Sequence, residues 1–174
     1  EDTTRTTGRD ALKKNVQAAI ALSGAIRSTL GPKGLDKLLI DDDGRTLVPN
    51  DGVTVLETAK VEHPVAKMII GASSLQDKIA KDGTTSTVIL SSEMLRNAWE
   101  LVVQGIHPAV IARGFRMAEQ KIISEIEKYT IVGNEELFKQ AAISALAGKG
   151  HESLKQTVSE LSLIAGKYVM NKNK

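Results

Sequence analysis

Cysteine is absent from the 174 residues, which excludes disulfides and thiolate metal sites. Aromatic side chains make up only 3% of the chain. Any core must therefore be aliphatic, built from Ala, Ile, Leu and Val. The same scarcity argues against single-stranded nucleic acid as a partner, because its bases stack on aromatic platforms. Neither sign of charge dominates: 23 Lys and Arg stand against 21 Asp and Glu, a net +2, with the signs interspersed. The basic patch that a nucleic-acid footprint requires is missing. No apolar run approaches the ~20 residues of a membrane helix. With neither a disulfide framework nor a secretory signal, the expected compartment is cytoplasmic.

What is present is an ordinary globular composition, 41% hydrophobic and 25% charged. That suffices for one domain with a core, or one domain and part of another. After a polar, Thr-rich lead-in, apolar residues fall at helical spacing at Leu12, Val16, Ala19, Ile20, Ala25, Ile26 and Leu30. Gly31-Pro32 stops that helix. Residues 37–40 and 46–48 read as two short strands around an acidic turn, and 53–61 as a short helical turn. A helix from Pro64 to about Lys81 carries Val65, Met68, Ile69, Ala72, Leu75 and Ile79 as its apolar positions. The next spans about 85–103. A long helix then runs through Tyr129, with Val110, Ile111, Phe115, Ala118, Ile122 and Ile126 expected inward. Asn134 is a good N-cap for a helix to Leu146, and Glu135 and Glu136 suit its positive end. A last run, 154–169, aligns Leu154, Val158, Leu161 and Ile164 on one stripe. Trp99 and Phe115 read as core. His63 and His107, each before a Pro, read as caps or surface groups. The expected fold is mainly α, a helical bundle with one small β-hairpin.

Three Gly-containing turns stand out: Thr29-Leu30-Gly31-Pro32-Lys33-Gly34, Asn50-Asp51-Gly52 and Asp82-Gly83-Thr84-Thr85. The third opens onto a helix, whose start offers unpaired N–H groups and a positive dipole end to an anion. Asp82 would repel a bare phosphate. It fits if Mg²⁺ lies between carboxylate and phosphate, since that ion takes hard oxygen ligands. Together the turns point to a nucleotide site. Taken singly, each has a plainer reading: a helix C-cap before a Pro turn, a hairpin-exit turn, and an Asp/Thr N-cap holding nothing.

The turns also carry a resemblance. The run from Gly8-Arg9-Asp10-Ala11 to Leu35-Asp36-Lys37 is similar to the opening of a group II chaperonin subunit of the thermosome/TRiC family. Asn50-Asp51-Gly52-Val53-Thr54, Glu62-His63-Pro64-Val65-Ala66-Lys67 and Asp82-Gly83-Thr84-Thr85 continue it in order. So do Gly105-Ile106-His107-Pro108 and Ala147-Gly148-Lys149-Gly150. The resemblance implies a helical bundle of the chaperonin equatorial type over residues 1–145, the ATP-binding domain's first half. Residues 146–174 would be the start of the intermediate domain.

It also implies roles. Leu30, Gly31 and Pro32 would line the adenine–ribose side and the phosphate entrance, where a side chain at Gly31 would block close approach. Asn50 would belong to the same nucleotide site. Asp82 would bind Mg²⁺, while Gly83, Thr84 and Thr85, assisted by Ser86, would hold phosphate oxygens. Asp51 would position the attacking water. Lys149, between two glycines, would sense the terminal phosphate; a solvated loop lysine is an equal reading. Lys81 departs from the pattern, because the family usually has Gly before this Asp. If that position needs positive φ, Lys81 strains the turn by about 1–3 kcal/mol; the alternative is that Lys81 places a positive charge near the phosphates and offsets some Mg²⁺ dependence.

The activity implied is that of an ATP-dependent chaperone subunit. Its partners would be other subunits in a double ring and unfolded protein clients, with neither nucleic acid nor membrane among them. The family's second catalytic aspartate comes from a part of the subunit with no counterpart here. A non-hydrolysing structural or interaction module is therefore the rival reading, and a portion of a longer polypeptide a third.

Overall fold

The computed structural model describes residues 5–40, 44, 46–49, 52–58, 61–148 and 152–172. Seven helices and one hairpin occur among them. Helix α1 (Gly8–Ile26) ends in a 3-10 turn at Arg27–Thr29. Strands β1 (Leu39–Ile40) and β2 (Thr46–Leu47) pair antiparallel, Leu39 opposite Leu47. Then come α2 (Gly52–Thr58), α3 (Pro64–Ala80), α4 (Thr84–Val103), α5 (Pro108–Tyr129), α6 (Glu135–Ala145) and α7 (Lys155–Lys172). The mainly helical expectation holds. The helix expected to reach Leu30 stops at Ile26 and tightens into the 3-10 turn, in which Thr29 Oγ1 donates to the Ile26 carbonyl at 2.8 Å. Such tightening is common where a helix ends.

The chain divides into two compact units, 1–118 and 119–174. In the first, α1, α2, α3 and α4 surround a core of Ala19, Leu22, Ile26, Val55, Leu56, Ala66, Ile69 and Val88. Small side chains mark the closest contacts. Ser92 of α4 is buried and donates to the Ala19 carbonyl of α1 at 2.8 Å. Ser73 of α3, 1% exposed, donates to the Thr84 carbonyl at the start of α4 at 3.0 Å. Buried hydroxyls are tolerated because each has a partner.

Two expected faces are corrected. On α3 the apolar stripe Met68, Ala72, Leu75 and Ile79 points outward, Met68 being 74% and Ile79 76% exposed. The packed face is Ala66, Ile69 and Ser73, whose small residues let α3 approach its neighbours. On α5, Val110, Phe115, Ala118, Ile122 and Ile126 are exposed and only Ile111 is half-buried. Phe115 is thus not core. Trp99 is half-buried, with the Arg9 guanidinium 5.8 Å from its ring centre. Helical periodicity marks a face able to be buried; burial itself depends on what lies over it.

In the second unit α6 packs on α7. Asn134 caps α6 as expected, accepting from Leu137 N–H at 2.9 Å. Lys139–Glu160 and Lys167–Glu135 ion pairs, 2.8 and 2.6 Å, tie the two helices together. The stripe Leu154, Val158, Leu161 and Ile164 is exposed. His63 and His107 do cap: their Nδ1 atoms accept from Val65 and Ala109 N–H at 3.3 and 3.2 Å. Among the described residues no helix is long and apolar enough to cross a membrane.

Candidate functional site

The third turn joins α3 to α4. Lys81 closes α3 in the left-handed region, φ 57° and ψ 19°, and is the only described non-glycine residue with positive φ. The position where the resemblance expects Gly does require the conformation glycine favours. Gly83, at φ 81°, is the N-cap of α4, and no side chain caps the helix. The first N–H groups of a helix have no intrahelical partner. Those of α4 begin a 20-residue helix whose dipole makes this end positive. Thr84 is buried, Thr85 half-buried and Ser86 exposed.

Asp82 is exposed beside them. Its Oδ1 accepts from Gly83 N–H at 2.7 Å, and Oδ2 makes no hydrogen bond among the described residues. A hard carboxylate oxygen next to uncapped N–H groups suits a divalent cation that bridges to phosphate. The donor set therefore fits the group expected here. No cluster of three His, Asp or Glu occurs among the described residues. An ion at Asp82 would draw its other ligands from phosphate and solvent, as Mg²⁺ commonly does.

The second turn meets the third directly. A β-carbon on Gly52 would lie 2.3 Å from Thr85 Oγ1 and 3.7 Å from Ile26 Cδ1. Gly52 opens α2, so its bare backbone is what lets α2 reach the α4 start. Asn50 and Asp51 lie outside the described residues, as does Lys149. The first turn is tied to the same frame from two sides. Arg27, in the 3-10 turn before Leu30, pairs with Glu93 of α4. Lys37 N–H, beyond Gly34, donates to the Pro49 carbonyl at 3.0 Å. Leu30, Gly31 and Pro32 are exposed between these ties.

Within the chain, the two glycines of the first turn answer to different needs. Gly31 has φ 82°, but a β-carbon there would meet no protein atom within 4 Å. The tight contact within the chain is at Gly34, where a β-carbon would fall 2.3 Å from the Thr29 carbonyl oxygen. Gly31 is thus needed for its backbone angle and Gly34 for space.

Electrostatics near the frame are carried by Glu93. Arg96 first, and Arg27 second, hold its carboxyl below the ordinary range by hydrogen bonding to the charged form. Sequence reading missed Gln76. Its Nε2 donates to the Asp82 carbonyl at 3.0 Å, and its side chain lies against Gly83. The available signal was its place six residues before Asp82, in the last turns of α3.

The TCP-1/cpn60 chaperonin family matches residues 22–174. The chain is similar to the thermosome subunit alpha of Archaeoglobus fulgidus, 46% identical over 175 residues, covering 99% of this chain and 32% of that protein. It is 45% identical to thermosome subunit beta of the same organism over 172 residues, covering 97% and 32%. Against the thermosome subunit of Methanopyrus kandleri it is 44% identical over 168 residues, covering 95% and 31%. The chain spans about a third of the length of these relatives. It belongs to the TCP-1/cpn60 chaperonin family, among its group II, thermosome-type members.

Proposed function

We propose that this chain is the Mg-ATP-binding part of a cytoplasmic group II chaperonin subunit. Residues 1–145 would be the first half of its equatorial domain and 146–174 the start of its intermediate domain. The observation that carries the reading is the contact of Gly52 with Thr85, beside Asp82, at an uncapped helix N-terminus. It joins two of the three turns at a place where anion and cation preferences meet.

Within this reading each residue has a physical task. Gly83, Thr84, Thr85 and Ser86 present N–H and hydroxyl donors to phosphate oxygens. Asp82 holds the metal through its carboxylate. Bound there, Mg²⁺ would neutralise the charge on the phosphates. Leu30, Gly31 and Pro32 flank the nucleoside, and Asn50 belongs to the same nucleotide site. Asp51, bonded to Gly52, orients the attacking water. Lys149 senses the terminal phosphate. Turnover belongs to the complete subunit, which would supply a second aspartate, assemble with other subunits into a double ring, and act on unfolded proteins.

Calorimetric titration of the chain with ATP, with and without Mg²⁺, tests the proposal. Saturable, Mg²⁺-dependent binding is expected, weakened about tenfold or more by Asp82→Ala because a charged contact is lost. Mg-ATP binding that Asp82→Ala leaves unchanged would remove the metal role.

A further inference from the structure

Ser73, Gln76 and Asp77 lie three and four residues apart, so they share one face of α3. Each grips a different residue of the turn that follows. Ser73 Oγ donates to the Thr84 carbonyl at 3.0 Å. Gln76 Nε2 donates to the Asp82 carbonyl at 3.0 Å. The Asp77 carbonyl accepts from Lys81 N–H at 3.0 Å, and its carboxylate meets Lys81 Nζ at 3.4 Å. The grip is needed because the turn holds an unfavourable backbone at Lys81 and a left-handed glycine two residues later.

The three contacts differ in kind. Ser73 is buried in the helix packing, so its loss is felt by the fold as a whole. The Lys81–Asp77 side-chain pair is exposed, and such pairs add little. Gln76 is half-buried, and its amide is the side chain that reaches the backbone of Asp82 itself. Its Nε2 and Cγ also lie 3.4 and 3.9 Å from where a Gly83 β-carbon would be, so it covers one side of that glycine.

We propose that Gln76 is a positioning residue that fixes the Asp82–Gly83 peptide, and so sets the direction of the Asp82 carboxylate and of the N–H groups at the start of α4. This role rests on the proposed reading of the turn as a metal–phosphate site. Holding the Asp82 carbonyl fixes one end of the residue's backbone. The Asp82 Oδ1 bond to Gly83 N–H then fixes the side chain relative to the next amide. Without the Gln76 amide, the residue can rotate away from the helix axis. Preset geometry of this kind strengthens binding by lowering the ordering needed when ligand arrives.

Two readouts on the same chain, with Gln76→Met and Gln76→Glu, test this. Met keeps the side-chain length without a donor; Glu keeps the shape and replaces the donor with an acceptor. The first readout needs no nucleotide: amide hydrogen exchange at Gly83 and Thr87, whose N–H groups donate to Asp82 Oδ1 and to the Gly83 carbonyl. Both variants are expected to exchange about tenfold faster there, with α1 and α4 interior amides and the melting temperature unchanged. Equal exchange in wild type and variants would overturn the role. Faster exchange throughout α3 and α4, with a lowered melting temperature, would also overturn it, by making Gln76 a general packing residue. The second readout is the Mg²⁺ concentration required for half-maximal ATP binding. It is expected to rise about fivefold or more in both variants. An unchanged Mg²⁺ requirement would overturn the link to the metal. If the wild-type chain binds no Mg-ATP while the exchange change is seen, the nucleotide reading falls and the hold of Gln76 on the turn stands.

Discussion

Gly52 and Thr85 are 33 residues apart in sequence, yet the Gly52 backbone sits where a single added β-carbon would be 2.3 Å from Thr85 Oγ1 and 3.3 Å from its Cβ. Neither distance can be accommodated without movement. Thr85 is β-branched and half-buried, so it cannot swing aside freely.

Gly52→Ala is therefore expected to destabilise the first unit by about 1–3 kcal/mol, the usual range for overpacking. Urea denaturation of the variant measures it. Gly52→Ala combined with Thr85→Ala should recover part of the loss, since Oγ1 is the nearest clash. Additive losses in the double variant would show that the two sites do not press on each other.

Lys81→Gly should raise stability by about 1 kcal/mol, the left-handed penalty of a side chain less the extra flexibility of glycine in the unfolded chain. The exposed pair with Asp77 that is lost contributes little. A higher urea midpoint at unchanged slope is the expected signature. A lower midpoint would mean that the lysine side chain supports the turn.

Ser92→Ala removes the one hydroxyl that α4 gives to the α1 carbonyl at Ala19. The side chain is 1% exposed, so water cannot replace it without opening the interface. A loss of about 1–2 kcal/mol is expected from the broken buried bond and the small void. A change within experimental error would mean that the helix carbonyl is satisfied within α1 alone.

Glu93 gives a pH signature. Its carboxyl is held below the ordinary glutamate value of 4.5 by Arg96 and then Arg27. The unfolded chain thus takes up its proton first as pH falls. The stabilisation is present above that ordinary value and is lost as pH drops toward and through the depressed one. Glu125, lowered by Lys121 and then Lys128, and Glu135, lowered by Lys167, act in the same direction. Denaturation midpoints followed downward from pH 6 should fall, and Glu93→Gln should flatten part of that fall. Glu135 is exposed and Glu93 and Glu125 are only half-buried, so added salt should flatten it too. An identical pH profile in Glu93→Gln would show that its two arginine contacts do not matter to folding.

Much of the molecule could be read from neighbouring residues. The His-Pro starts of α3 and α5 and the Asn134 cap of α6 use contacts between residues two or three apart. The substitution of Lys81 for an expected glycine already hinted at left-handed backbone, and φ 57° is what is found. Mispredicted were the faces. Met68, Leu75 and Ile79 have the spacing of a buried stripe, but Ala66, Ile69 and Ser73 are what α1 and α4 pack against. Periodicity reports hydrophobic content around a helix and carries no information about which neighbour comes closest.

The amino-acid order alone determined a mainly helical chain, the places where its helices begin and break, and the three glycine turns with their resemblance to a chaperonin, because caps, helical spacing and turn chemistry act over a few residues. Only the folded arrangement decided that Gly52 touches Thr85, that Ser92 reaches Ala19 and that Gln76 holds Asp82. The first two contacts join segments far apart in the chain, and the third needs a helix end and a left-handed turn to bring two groups together. Such meetings follow from how whole helices pack, which local sequence rules do not encode.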